Sequence, residues 1–277
     1  MEKKLAIVAS GGGMKSSYTV GALTALFEQY PDLRPDIVVA GSGSAGTLAY
    51  YVAGQFESGK NIWFNLLSTS KFINPLRLQR VIDIDYLIDV VFKQQQPLDI
   101  VGMRQSPILF NVGATNRVTG EVTYFSNRDA VDFFEVLRAS KAMPIAYRKS
   151  VAINGVQYYD SYLSSGIRAG VRRALELGAE RLLLFNTDIQ SWPGALMYRA
   201  WLAWQAKEFR DGYQKEKEAI TRSLIPDRAR LVMIQPRQPL PVSTLNNNRA
   251  KIHQTIEQGY QETLNNQELK EFILKDL

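Results

Sequence analysis

The sequence predicts an α/β protein of three layers, in which helices cover both faces of a mainly parallel central sheet. Short apolar runs of strand length alternate with segments of helical length, and two of the runs end in clusters of glycine and serine. The predicted strands are Leu5–Ala9, Ile37–Ala40, Ile108–Ala114, Glu121–Phe125, Ser150–Asn154, Val156–Tyr159, Leu182–Asn186 and Leu231–Gln235. The predicted helices are Lys15–Gln29, Ala45–Ala53, Ile62–Leu67, Tyr86–Phe92, Ala130–Arg138, Ile167–Leu177, Leu196–Ser223 and Asn248–Gln261.

Composition sets limits on the class of protein. The chain has 277 residues, of which 45% are hydrophobic, so we expect one domain over residues 1–277 with a helical C-terminal part from about residue 195 packed on it. The chain has no cysteine, which excludes disulfides, a cysteine nucleophile and thiolate metal sites. No apolar run reaches the ~20 residues of a membrane span. The charged start runs directly into the first strand, so no signal peptide is predicted and a cytoplasmic location is expected.

A run of three glycines follows the first predicted strand. Gly11, Gly12 and Gly13 precede Met14, and their backbone N–H groups are not covered by side chains. Such a loop in front of a helix forms an anion cradle. The cradle has two interpretations: it binds the phosphate of a nucleotide, or it is the oxyanion hole of a nucleophile located elsewhere in the chain.

The letters fit the nucleotide interpretation poorly. A P-loop needs a glycine immediately before its lysine, and here Met14 precedes Lys15. The dinucleotide fingerprint would use Gly11 and Gly13 but finds Ser16 in place of its third glycine, where helix and strand must pack closely. A Rossmann-like nucleotide-binding protein stays open as an alternative.

The second small-residue cluster predicts a nucleophile elbow. Ile37–Ala40 is followed by Gly-Ser-Gly-Ser-Ala-Gly, after which small and apolar residues continue at helical length. A sharp turn from strand to helix tolerates only small neighbours and exposes a central serine at the helix N-terminus. Ser44 fits the serine of G-x-S-x-G, with Gly46 two residues later and Ser42 in place of the first glycine. The prediction is therefore Ser44 as nucleophile.

Together, these motifs resemble the patatin-like phospholipases. Ser10–Leu23 is similar to the oxyanion-hole segment of that family, with the glycines, a basic residue, Tyr18, Gly21 and Leu23 in register and Ser16 replacing a glycine. Ser42–Leu48 resembles the family's nucleophile elbow, and Ser140–Pro144 its S-x-x-x-P segment. Asp160 resembles the family's aspartate, although Ser161 and Tyr162 follow it instead of two small residues.

The resemblance implies a serine acyl-ester hydrolase of the phospholipase A type that acts on lipids through a Ser44–Asp160 dyad, with an oxyanion hole at Gly11, Gly12, Gly13 and Met14. It implies no metal and no organic cofactor. The departures at Ser16, Ser42 and Ser161-Tyr162 leave a second alternative open, a non-catalytic relative that binds lipid or a partner.

Asp160 and His253 are the residues that decide between a dyad and a triad. Asn154-Gly155 predicts a two-residue hairpin turn, which places Asp160 at the end of the second hairpin strand, a rigid position for a base. Asp188, just past Leu182–Asn186, is the next candidate acid. His253 is the only histidine and lies in a polar C-terminal helix, so we expect a structural role for it.

The segment Leu196–Arg230 mixes aromatic and basic residues. Tyr198, Trp201 and Trp204 recur at helical spacing, which is typical of core packing and also of a helix at a lipid interface. The net charge of +6 fits an anionic membrane surface, so peripheral membrane contact is one option. No nucleic-acid motif accompanies that charge, and we expect no nucleic-acid partner. The oligomeric state is left open.

Overall fold

The sheet is the frame that positions the two glycine-rich turns. The computed structural model describes residues 3–77, 80–161, 166–187, 192–222, 225–226 and 229–274. The strands are β1 Leu5–Ala9, β2 Ile37–Ala40, β3 Leu109–Asn116, β4 Val122–Ser126, β5 Val151–Ile153, β6 Val156–Asp160, β7 Arg181–Phe185 and β8 Arg230–Ile234. They follow the order β5-β6-β3-β2-β1-β7-β8, with β4 paired to β3 outside this path.

Five neighbouring strands of this sheet are parallel. Strands β3, β2, β1, β7 and β8 pair with one another in parallel, whereas β4 and β6 pair antiparallel with β3, and β5 pairs antiparallel with β6. In the central pair, Ala9 lies opposite Ala40, so β1 and β2 end side by side. The turns that follow these two strands therefore emerge at the same edge of the sheet, as required if the glycine cradle and the elbow are to meet.

Helices cover both faces of the sheet, which confirms the predicted α/β class. They are α1 Ser17–Gln29, α2 Ser42–Val52, α3 Phe56–Asn61, α4 Ile100–Gln105, α5 Phe133–Ala139, α6 Gly166–Glu176, α7 Trp192–Ala203, α8 Lys207–Arg222, α9 Arg249–Leu264 and α10 Gln267–Leu274. Leu5 and Ile7 of β1 point into one apolar cluster, and Ala6 and Val8 point into another. This alternation buries both faces of a central strand and explains its uninterrupted apolar sequence.

Some predicted elements differ from those observed. The predicted helix Leu196–Ser223 is wrong as a single element, because α7 ends at Ala203 and α8 begins at Lys207, with a turn between them; Ser223 itself lies outside the described residues. Helices α3, α4 and α10 have no counterpart among the predicted helices. The segments Ile62–Leu66 and Tyr86–Gln95 are π-helical, a form that occurs often near functional sites.

The C-terminal part contributes to the same core as the N-terminal part. Strand β8 extends the parallel sheet beyond β7, and helix α9 packs along α1. Gly21 and Gly259 lie at this helix crossing, where a Cβ on Gly21 would overlap the Ile256 carbonyl and one on Gly259 would overlap the Tyr18 carbonyl. Contacts of this extent support our proposal that the chain is one domain.

The close crossing of α1 and α9 allows a prediction about stability. Gly259→Ala adds a methyl group where the backbone of α1 leaves no room, so we expect the free energy of unfolding to fall by about 1–3 kcal/mol. Urea denaturation measures this change. Lys251→Ala, at an exposed position of the same helix, is the control and should stay within about 0.5 kcal/mol of the parent chain. Equal stability of both variants would contradict a tight crossing.

Candidate active site

The glycine turn after β1 is built around conformations that favour glycine. Gly12 has φ 148° and Gly13 has φ 57°, and a Cβ on Gly12 would come within 2.8 Å of Thr187 Oγ1. Within the described residues, the amides of Gly11, Gly12 and Gly13 donate no hydrogen bond. The Met14 amide donates to the Thr244 carbonyl at 3.0 Å, so of the four predicted oxyanion donors Met14 is already engaged.

The elbow after β2 is centred on Ser42. Ser42 has φ 49°, a backbone conformation that is uncommon for residues other than glycine and recurs at strained functional turns. Both neighbours must be glycine for space: a Cβ on Gly43 would lie 2.7 Å from the Gly13 carbonyl oxygen, and one on Gly41 would overlap the Ser161 hydroxyl. The cradle and the elbow therefore touch through Gly13 and Gly43.

The structure places Ser42, and not Ser44, against Asp160. The Ser42 hydroxyl donates to Asp160 Oδ2 at 2.9 Å, and the Ser42 amide donates to Ser140 Oγ at 2.9 Å. The Ser44 hydroxyl instead donates to the Ser10 carbonyl at 2.6 Å and is fully buried. The expected contact between Asp160 and the Ser44 hydroxyl is thus replaced by one with Ser42, because α2 begins at Ser42 and turns Ser44 toward the loop after β1.

Asp160 lies where the hairpin was expected to hold it. Strands β5 and β6 are joined by Asn154-Gly155 with φ 49° and 82°, as the predicted two-residue turn requires. Asp160 ends β6, is 1% exposed, and its amide donates to the Ala142 carbonyl at 3.1 Å. Burial raises the pKa of this carboxyl well above its usual range, while the Ser42 hydroxyl and the Lys141 ammonium oppose the shift.

A largely apolar cavity opens at Ser42. Gly13, Met14, Ser42 and Gly43 form its polar end, together with Lys141, whereas Ser44 is not part of the lining. The two π-helical segments contribute Ile62, Trp63, Leu87 and Phe92 to the wall of the cavity. The remaining wall is formed by Gly46, Thr47, Tyr50, Gly59, Leu67, Phe72, Ile82, Ile84 and Met143. A long hydrocarbon chain is the kind of ligand that such a wall would accommodate.

The two remaining candidate residues are His253, which lies away from the cavity, and Asp188. His253 Nε2 is 3.0 Å from the Phe64 carbonyl oxygen, its ring is tilted by 56° against the Phe64 ring at a centroid distance of 5.0 Å, and it does not line the cavity. Asp188 lies outside the described residues. Among the residues described, no group of histidine, aspartate and glutamate side chains could hold a metal ion.

Some aromatic and apolar side chains of α7 and the turn after it are packed against other rings, and others are exposed. Trp201 packs against Tyr159, Tyr198 and Phe209 at ring-centroid distances of 5.6–5.7 Å. Trp204, after the end of α7, is 89% exposed, and Leu196 and Met197 are also exposed. No helix in the described part of the chain is long and apolar enough to cross a membrane.

Sequence reasoning missed Ser42 and Lys141. The signal for Ser42 was present, because Gly41 and Gly43 flank it directly and it follows the strand more closely than Ser44 does. Lys141 lies inside the Ser140–Pro144 segment that was already recognised, but a lysine between Ser140 and Ala142 gives no indication from sequence that its side chain is buried.

Comparison with known proteins identifies the family. The family model for patatin-like phospholipase matches residues 7–171, which include the cradle, the elbow and Asp160. The chain belongs to the patatin-like phospholipase family. Membership supports lipid acyl hydrolysis as the activity at the level of the family.

Two individual proteins are similar to this patatin-like chain. The uncharacterized protein YjjU of Escherichia coli (strain K12) is 27% identical over 194 residues, which are 66% of this chain and 52% of YjjU. The crystal structure of VipD from Legionella pneumophila superposes with a TM-score of 0.57 at 14% identity, over 95% of this chain and 66% of VipD. The chain thus matches about half the length of YjjU and slightly under two thirds of VipD, and the likeness to VipD concerns the fold.

Proposed function

We propose that the chain is a serine hydrolase of lipid acyl esters, with Ser42 as nucleophile and Asp160 as general base. The observation that carries this proposal is the 2.9 Å hydrogen bond from the Ser42 hydroxyl to Asp160, made from a turn with positive φ beside a glycine cradle. Family membership supports the class of reaction, and the apolar cavity supports an acyl chain as the part of the substrate that is bound.

The reaction follows from these positions. Ser42 Oγ attacks the ester carbonyl carbon while its proton passes to Asp160. The negative charge on the carbonyl oxygen is stabilised by the amides of Gly12 and Gly13 and by the N-terminus of α2. Asp160 then protonates the leaving alcohol, and the same carboxylate activates the water that releases the fatty acid from Ser42.

Burial makes this aspartate a useful base. An ordinary carboxylate with a pKa near 3.9 is too weak to deprotonate a serine efficiently. Because burial raises the pKa of Asp160, its ionised form binds a proton more strongly, and the hydrogen bond from Ser42 already points along the path of transfer. In this proposal four residues share the chemistry: Ser42 is the nucleophile, Asp160 is the base, and Gly12 and Gly13 donate their amides to the oxyanion.

Peripheral contact with a lipid surface belongs to this proposal. A lipid substrate resides in an aggregate or a membrane, which the enzyme must touch. The exposed side chains of Leu196, Met197 and Trp204 offer apolar surface at α7 and the turn after it, and the net charge of +6 favours an anionic surface.

Covalent labelling with a fluorophosphonate tests the nucleophile. The modified peptide should carry the label on Ser42, and Ser42→Ala should abolish both labelling and ester hydrolysis, because the attacking oxygen is lost. Ser44→Ala is the matched control: its hydroxyl contacts Ser10, so labelling at Ser42 should persist. Mass spectrometry with fragmentation distinguishes the two serines.

The opposite results each have a definite meaning. A label that survives in Ser42→Ala and maps to Ser44 would return the nucleophile to the position that the G-x-S-x-G motif predicts. A correctly folded parent chain that accepts no label would favour a non-catalytic lipid-binding or partner-binding protein, and tight binding of an adenine or nicotinamide nucleotide would favour the Rossmann-like alternative.

Asp160→Asn tests the base. The amide keeps the shape of the side chain but cannot accept the proton of Ser42, so we expect kcat for a short neutral ester to fall by about 10⁴-fold or more. Steady-state kinetics on the folded variant measure this loss. Asp32→Asn, which changes an exposed carboxylate, should leave kcat unchanged. A loss under tenfold in Asp160→Asn would exclude a Ser–Asp dyad.

His253→Ala tests whether a triad is used. His253 contacts the Phe64 carbonyl and lies outside the cavity lining, so its removal should change kcat/KM by no more than a few-fold. The measurement is hydrolysis of the same short ester at neutral pH. A drop of several orders of magnitude, with the melting temperature preserved, would mean that the histidine takes part in proton transfer.

A further inference from the structure

Lys141 is a buried lysine in the wall of the cavity. The residue is 4% exposed, and among the described residues its Nζ has no hydrogen-bond partner. It lines the same cavity as Ser42 and Gly43. A buried ammonium without hydrogen bonds is costly, so a compensating charge nearby is needed to hold it in place.

The residues on either side of Lys141 are hydrogen-bonded to Ser42 and Asp160. On one side, Ser140 Oγ accepts the Ser42 amide at 2.9 Å, and on the other, the Ala142 carbonyl accepts the Asp160 amide at 3.1 Å. The lysine stem passes near Gly46 of α2, where a Cβ on Gly46 would lie 3.7 Å from Lys141 Cε. Lys141 is therefore held between the residues that position the nucleophile and the base.

Lys141 and Asp160 each influence the pKa of the other. The attraction of Lys141 opposes the rise in the pKa of Asp160, and the attraction of Asp160 opposes the fall in the pKa of Lys141 that burial causes. Helix α2 carries no charged side chain. Charged side chains on the other lining segments pair with one another: Glu57 with Lys60, Asp83 with Arg77 and Arg80, and Asp89 with Lys93 and Arg138; Lys15 follows Met14 in the cradle turn.

We propose that Lys141 is a positioning residue whose ammonium keeps the buried Asp160 carboxylate ionised and ready to accept the Ser42 proton. This inference rests on the proposed function. In an apolar cavity a lone carboxyl group binds its own proton and cannot act as a base at neutral pH. When Ser42 attacks, its proton moves to Asp160, and Lys141 takes no part in the transfer.

The test replaces the cation by a neutral side chain of similar length. In Lys141→Met, the acid limb of the pH profile of kcat/KM should move upward by about 1–3 pH units, because the ionised carboxylate has lost its counter-charge. Activity lost at pH 7 should return as the pH is raised. Lys149→Met is the control: it removes a half-exposed lysine that pairs with Asp85 outside the cavity, and the acid limb should not move.

A second measurement does not depend on turnover. The chain is labelled with aspartate enriched in ¹³C at the side-chain carboxyl, and the Asp160 signal is assigned by its absence in Asp160→Asn. Titration followed by NMR should give a higher apparent pKa for Asp160 in Lys141→Met than in the parent chain, by the same 1–3 units. If Lys141→Met does not fold, Lys141→Gln carries the same expectation.

The results that overturn the inference are separate from those that overturn the function. An Asp160 carboxyl that titrates identically with and without the lysine would refute the role of Lys141, and so would a loss of activity that is equal at every pH. Failure of the proposed function would show instead as absence of labelling and hydrolysis in the parent chain, in which case the NMR titration still decides on Lys141.

Discussion

The active-site geometry depends on one contact, the approach of the turn after β1 to the turn after β2. Ala9 and Ala40 are partners in neighbouring parallel strands, so both turns start at the same edge of the sheet. Gly13 and Gly43 then meet at a distance that excludes any side chain on Gly43. Larger residues here would separate the amides of the cradle from the serine of the elbow, and the transition state of the proposed reaction could not contact both.

Burial determines the proton affinity of Asp160 in this geometry. Burial raises the pKa of Asp160, which suits the proposed role of this carboxylate as a base for Ser42, but the same burial favours the protonated carboxyl group unless an opposite charge lies nearby. In the proposal made above, Lys141 in the cavity wall supplies that charge without becoming a third member of the proposed dyad. In that proposal, Ser42, Asp160 and Lys141 form one electrostatic unit.

The sequence predicted the frame better than the site. Strands Leu5–Ala9 and Ile37–Ala40 were predicted at their observed bounds, because continuous apolar runs between turn residues leave little ambiguity. The Leu196–Ser223 helix was wrong as one element, since helical periodicity continues through the turn at Trp204–Ala206 and no proline or glycine marks it. The burial of Lys141 could not be predicted either, because it results from how the 139–143 turn docks beside β6, which is a tertiary contact.

The choice between Ser42 and Ser44 has a similar origin. Two residues of an α-helix separated by one position differ by about 200° around the axis, so only one of these serines can face Asp160. The one that does is determined by the residue at which the helix starts. Strand β2 ends at Ala40, where it pairs with Ala9, and one extended residue, Gly41, leads into α2. Ser42 then faces the cavity, and Ser44 faces β1, where its bond to the Ser10 carbonyl fastens the cradle to the elbow. A motif match compares letters at fixed spacing and carries no information about this rotation, which is why the small residues predict a strand-to-helix turn but not which of its two serines faces Asp160.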